Sequence, residues 1–96
     1  MTKTYAVLVN CGARMVPDAA IRAVLDGAKD WCRFGPSIWF ISTNLDAGTW
    51  FSRVRAVIHP EDNIIVCGAD MIDMQGWASN PVIEWHNRDH DGRPGH

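Results

Sequence analysis

The sequence predicts an α+β fold in the order strand, helix, strand, strand, helix, strand. Three observations carry this. Apolar, β-rich runs stand at residues 4–10 and 63–68, two other segments space their apolar residues with helical period, and Gly35-Pro36 interrupts the stretch WCRFGPSIWFIST at residues 31–43.

The elements follow in chain order. TYAVLVN, residues 4–10, is rich in β-branched and aromatic residues and stops at NCGAR, which suits a buried strand ending in a turn. Pro17 and Asp18 then open a helix whose stripe is Ala20, Ile21, Val24, Leu25 and Ala28, running to about Lys29 with Gly27 as a weak point. Proline is tolerated in a first helical turn, and aspartate is favoured at the positive end of the helix dipole. If residues 31–43 were one strand, Gly35 and Pro36 would lie in its middle, weakening the pairing and removing a ladder hydrogen bond. Two strands joined by a tight turn avoid both costs, so Trp31–Phe34 and Ser37–Thr43 are expected to form a hairpin. Thr43 and Asp46 in TNLD have capping-box spacing, and Trp50, Phe51, Val54, Val57 and Ile58 form the stripe of a second helix that His59-Pro60 ends. NIIVCG, residues 63–68, is the last strand, closed by Gly68.

This order is the split βαβ arrangement of ferredoxin-like folds: a βαββαβ sandwich with a four-stranded antiparallel sheet and two helices on one face. Right-handed crossovers place the first and third strands in the middle. Residues 1–86 are expected to form a single domain, with a C-terminal extension from about residue 69 able to add a strand, and residues 87–96 a flexible tail. Both faces of the strands are apolar. In the first, Tyr5, Val7 and Val9 oppose Ala6 and Leu8; in the third, Ile38 and Phe40 oppose Trp39 and Ile41. Two helices cover one face only, so the other needs the segment after Gly68 or a second copy of the chain. A homodimer is therefore expected.

With 96 residues, 47% of them apolar and 21% charged, and a formal charge of −2, the composition is globular and lacks the basic excess of a dedicated nucleic-acid binder. No run has the length of a membrane span or the form of a signal peptide, and a cytoplasmic location is expected. Cys11, Cys32 and Cys67 match neither a paired-thiol motif nor a zinc ribbon, and read as free buried thiols.

Asn10, Cys11 and Arg14 follow the first strand, and the topology brings Arg33 and Ser37 to the same rim. Such a polar, cationic cluster can hold a phosphate or polarise a carbonyl, although strand-end loops are also common without function. Cys11 is a candidate nucleophile, but no histidine near it in sequence stands as a base, and a small buried thiol is the simpler reading. His86 and His90 have the spacing of the histidine half of a zinc finger, beside Asp89 and Asp91, with no cysteine half to match. Trp39 and Trp50 fit the core pattern. Trp77 and Trp85, flanking NPVIEW, are expected to cover the open face or to anchor a partner, with base stacking a third use that the acidic balance disfavours. No phosphate-loop or other cofactor motif is present.

The strand pair WCRF and PSIWFIST, the helix start TNLDAGTW, and HPEDNIIVCG followed by a late GW resemble the small bacterial and phage proteins of the SinR family. These are similar to the CRISPR-associated adapter nuclease that pairs with the spacer integrase, and to the VapD-type ribonucleases. The resemblance covers roughly residues 4–78. It implies a dimer in which Trp77, Val82, Ile83 and Trp85 contribute to the interface, the late segment adding a strand to the partner's sheet. In catalytic adapter nucleases an aspartate at or just past the end of the first strand, one per subunit, holds Mg or Mn between the subunits. Here that place reads Asn10-Cys11-Gly12, and asparagine lacks the charge that makes a hard-cation ligand. The resemblance thus implies a non-catalytic dimeric interaction protein, with a metal-dependent nuclease using an altered site near Asn10 and Arg14, or a small-ligand binding protein, as the alternatives.

Overall fold

A computed structural model describes residues 2–69 together with Trp85. Its elements are β1 (Lys3–Asn10), α1 (Asp18–Leu25), β2 (Asp30–Gly35), β3 (Ile38–Thr43), α2 (Ala47–Arg55) and β4 (Asn63–Gly68). The strands form one sheet in the order β2-β3-β1-β4, every neighbouring pair antiparallel. The expected βαββαβ order, the central β1 and β3, and the hairpin at Gly35-Pro36 are all present.

Register explains the core. Val7 pairs with Trp39 and Val66, Tyr5 with Ile41, and Val9 with Ile64, so these side chains share the face under the helices. Onto them pack Ile21 and Leu25 from α1 and Trp50 and Val54 from α2, all four fully buried. A tryptophan in the interior brings a large apolar area but also an N–H that wants an acceptor. Trp50 meets that need by donating from Nε1 to Thr43 Oγ1 at 2.9 Å.

Element ends depart from expectation in instructive ways. Thr43 is still extended as the last residue of β3, so its hydroxyl serves Trp50 and the Leu45 N–H rather than capping the helix. Asp46 caps α2 instead, accepting from the Thr49 N–H and hydroxyl through one carboxylate oxygen at 2.8 and 2.7 Å. These hydrogen bonds, the hydroxyl's foremost, hold the Asp46 carboxyl below its usual range. The helix α1 stops at Leu25, because by Lys29 the backbone N–H already bonds Ser42 O in the sheet.

The second face of the sheet carries Leu8, Ile38, Phe40 and Ile65, with Cys32, Asp30 and Ser42 toward β2 and Ala6 and Cys67 toward β4. Trp85 lies on it, 1% exposed and stacked on Phe40 at 6.5 Å, while Phe34 meets the edge of Phe40 at 5.8 Å. The two outer strands also differ. Strand β2 is irregular, its register shifting between Arg33 and Gly35, and it carries Asp30 and Arg33. Strand β4 is regular and carries neither charge nor proline, and among the described residues no strand pairs with its outer edge. Cys67 is exposed there, against the expectation that all three thiols are buried; its place on an edge strand accounts for this.

Trp77, Val82, Ile83, His86, Asp89, His90 and Asp91, and with them the extension and tail boundaries, lie outside the described residues. No helix among the described residues is long and apolar enough to cross a membrane.

Candidate functional site

The end of β1, the loop after it, the start of β3 and the start of β4 enclose a cleft of ≈ 430 Å³. Leu8, Ile38 and Ile65 form an apolar wall, and Asn10, Arg14, Ser37 and Asn63 supply polar groups. A second hollow of ≈ 300 Å³ adjoins it across Asn10, Gly12 and Arg14 and has Glu61 on its far side.

The loop is shaped by its own residues. Asn10 Oδ1 accepts the Gly12 N–H at 2.9 Å, and Gly12 takes φ = 60°, the left-handed conformation that glycine adopts without a Cβ clash. An amide oxygen alone can accept that N–H, so Asn10 presents its NH2 outward. The Arg14 N–H then bonds Cys11 O at 3.1 Å, bringing the guanidinium back over the strand end.

There it meets Asp62, whose side chain is 3% exposed. Asp62 Oδ1 accepts from Arg14 Nη2; Oδ2 accepts the Cys11 thiol at 3.3 Å and the His59 N–H at 3.0 Å. The turn His59-Pro60-Glu61-Asp62 closes on itself, with the Asp62 N–H on His59 O and the Glu61 N–H on His59 Nδ1. From the last turn of α2, Arg55 donates to His59 O and Pro60 O at 2.9 and 2.6 Å, tying the turn to the helix.

These contacts set the ionisation of the cluster. Burial pushes the Asp62 carboxyl up, but hydrogen bonds from Arg14, Cys11 and His59 outweigh it and hold the group below the usual carboxylate range. Burial, followed by the hydrogen bond to Asp62, pushes the Cys11 thiol up. A thiol kept protonated and donating to a carboxylate is a poor nucleophile, because the thiolate is the reactive form. Cys11 thus acts as a small buried donor.

The structure brings four of the five sequence candidates, Asn10, Cys11, Arg14 and Ser37, to one cleft. Arg33 lies elsewhere. It is on the helix face, 5.5 Å from the Trp39 ring, paired with Asp18 at 2.9 Å and donating to Gly35 O and Pro36 O. Asp62 and Asn63 were not foreseen. HPED reads only as a helix stop, and nothing local shows that Asp62 pairs across 48 residues with Arg14.

The donor set does not suit a hard divalent cation. Asn10 spends its oxygen on Gly12, the carboxylate of Asp62 is committed to three donors, and no group of three or more His, Cys, Asp or Glu residues converges among the described residues. Compared with known protein families, curated proteins and solved structures, the chain finds no match. The resemblance to the SinR family therefore rests on the residue patterns alone.

Proposed function

We propose that this chain is a non-catalytic interaction protein of the adapter-nuclease kind that works as a homodimer through the β1–β4 half of the second sheet face. The observation that supports it is a contiguous, uncharged patch on two paired strands. Leu8 lies opposite Ile65 and Ala6 opposite Cys67, with Leu8 37% and Ile65 60% exposed. Exposed apolar side chains in one continuous patch mark an interface. A flat strand face suits another sheet, and two sheets pack face to face at about 10 Å. No charge in the patch selects an unlike partner, so a second copy of the same face is the matching surface.

Catalysis is disfavoured at the adjoining strand end, where the protonated Cys11 thiol is a poor nucleophile and the Asp62 carboxylate is committed to three donors. Trp85, which the sequence reading gives to the interface, stacks on Phe40 of its own chain. Trp85 takes up Phe40, so the proposed contact is placed on β1 and β4.

Light scattering coupled to size exclusion is the test. The full chain is expected at twice its 10.7 kDa mass, and Leu8→Asp with Ile65→Asp at a single chain. A monomeric wild type refutes the dimer, and a double variant that stays dimeric removes the interface from this face. Cleavage of RNA or DNA that requires Mg or Mn and is lost in Asn10→Ala, Arg14→Ala refutes the non-catalytic reading.

A further inference from the structure

We propose that the cleft at the end of β1 binds a small amphiphilic monocarboxylate, with its apolar body against Leu8, Ile38 and Ile65 and its head group at Arg14, Asn10 and Asn63. The volume, ≈ 430 Å³, lies within the range of small-molecule sites, which combine apolar walls with a few placed polar groups. The polar end is rich in donors. Asn10 offers its NH2 because its oxygen is engaged, and Arg14 lines the cleft with 46% of its side chain exposed while spending Nη2 on Asp62. A guanidinium presents five N–H donors in a fork matched to carboxylate oxygens, so one committed nitrogen leaves others for a ligand.

Charge then selects the head group. Asp62 is buried and saturated by three donors, whereas the Arg14 cation reaches the surface. One guanidinium already shared with the Asp62 carboxylate keeps free N–H donors but too little uncompensated charge to hold a dianion. Glu61, across the adjoining hollow, further opposes a dianion. A monocarboxylate fits this balance better than a phosphate dianion does. The apolar wall requires a body several carbons long. The apolar wall shares Leu8 and Ile65 with the proposed interface, so a ligand and a second copy of the chain compete for them, and the titration is run at a dilution where the chain is monomeric.

Titration of the 15N-labelled full chain with sodium octanoate, with 1-octanol and inorganic phosphate in parallel, tests the proposal. Octanoate is expected to shift the amides of Asn10, Gly12, Arg14, Ile38 and Asn63 saturably, and phosphate to bind more weakly. Arg14→Gln should weaken octanoate at least about tenfold, the scale of a lost charge-assisted hydrogen bond. Arg14→Lys, which keeps the charge but not the fork, should fall between the wild type and Arg14→Gln, and 1-octanol should be indifferent to both. Glu61 is exposed and outside the packed core, so Glu61→Gln folds independently of the latch and should tighten octanoate about twofold. No saturable shift at millimolar octanoate, shifts confined to the Phe34–Phe40 region, phosphate binding tighter than octanoate, or a Glu61→Gln affinity equal to or below wild type would each overturn the assignment.

Discussion

The two halves of the second sheet face start from the same sequence pattern and end differently. Over β2 and β3, Asp30, Cys32 and Ser42 are at most 4% exposed and Trp85 is stacked on Phe40. Over β1 and β4, Leu8, Ile65 and Cys67 face outward, and the strand pair is secured at its end by the ion pair and hydrogen bonds converging on Asp62. One half is held by an apolar cover and the other by an ionic latch. Apolar alternation in a strand establishes that a face wants covering; which residues cover it depends on parts of the chain far away in sequence.

The contrast breaks most severely at Trp85. Burial of an aromatic side chain at 1% exposure predicts that Trp85→Ala costs about 3–5 kcal/mol, a large part of the roughly 5–15 kcal/mol of a whole domain. Urea denaturation followed by circular dichroism measures this. A loss below about 1 kcal/mol would mean that the β2–β3 half does not depend on its cover.

The latch should respond to pH and the cover should not. The folded Asp62 carboxyl sits below its unfolded value of about 3.9, so its contribution is fully present above that pH and is lost as the pH falls through the folded value. Thermal melts of the wild type should therefore drop below about pH 4. Asp62→Asn should start from a lower melting temperature, by less than Trp85→Ala, and decline less steeply through the same window. Asp46, also held low by its helix cap, titrates in that window, so Asp46→Asn serves as the control that isolates the latch. Cys11 acts at the other end. Its raised thiol keeps a proton that the unfolded thiol loses above about pH 8.5, so stability falls with rising pH there, and Cys11→Ala should flatten that limb.

The smallest effect belongs to the bare half. Ile65 is 60% exposed, and Ile65→Thr keeps a β-branched side chain on the strand. At a dilution where the chain is monomeric it should change unfolding free energy by no more than about 0.5 kcal/mol, the usual scale for surface positions. A larger loss would show that Ile65 is packed within one chain.

Local signals were enough for most of the fold. Gly35-Pro36 marked the hairpin, NIIVCG the last strand to the residue, and Trp39 and Trp50 declared themselves as core by period. The helix caps were less legible, because TNLD offers two hydroxyl or carboxylate groups and only the pleat of β3 decides that Thr43 serves Trp50 while Asp46 caps. In the cleft, Asn10, Cys11, Arg14 and Ser37 were readable because strand ends follow from topology. Asp62 was not, since its role arises from a turn that points it across the sheet at a partner 48 residues away. Arg33 does share that end of the sheet, bonded to Pro36 O beside Ser37, but Asp18 and Trp39 hold it on the helix face and outside the cleft, which leaves no trace in one-dimensional spacing.

The regular outer strand has a consequence for handling the protein. Natural sheets discourage unlimited strand addition with charges, prolines or bulges at their borders, as β2 does through Asp30, Arg33 and its shift of register. The six residues NIIVCG have none of these, and their composition is that of segments that stack into fibrils with a 4.7–4.8 Å repeat. Shelf life at high concentration should therefore be set by nucleated fibril growth from β4, with a lag that shortens on seeding, and a lysine in place of Ile65 should lengthen it.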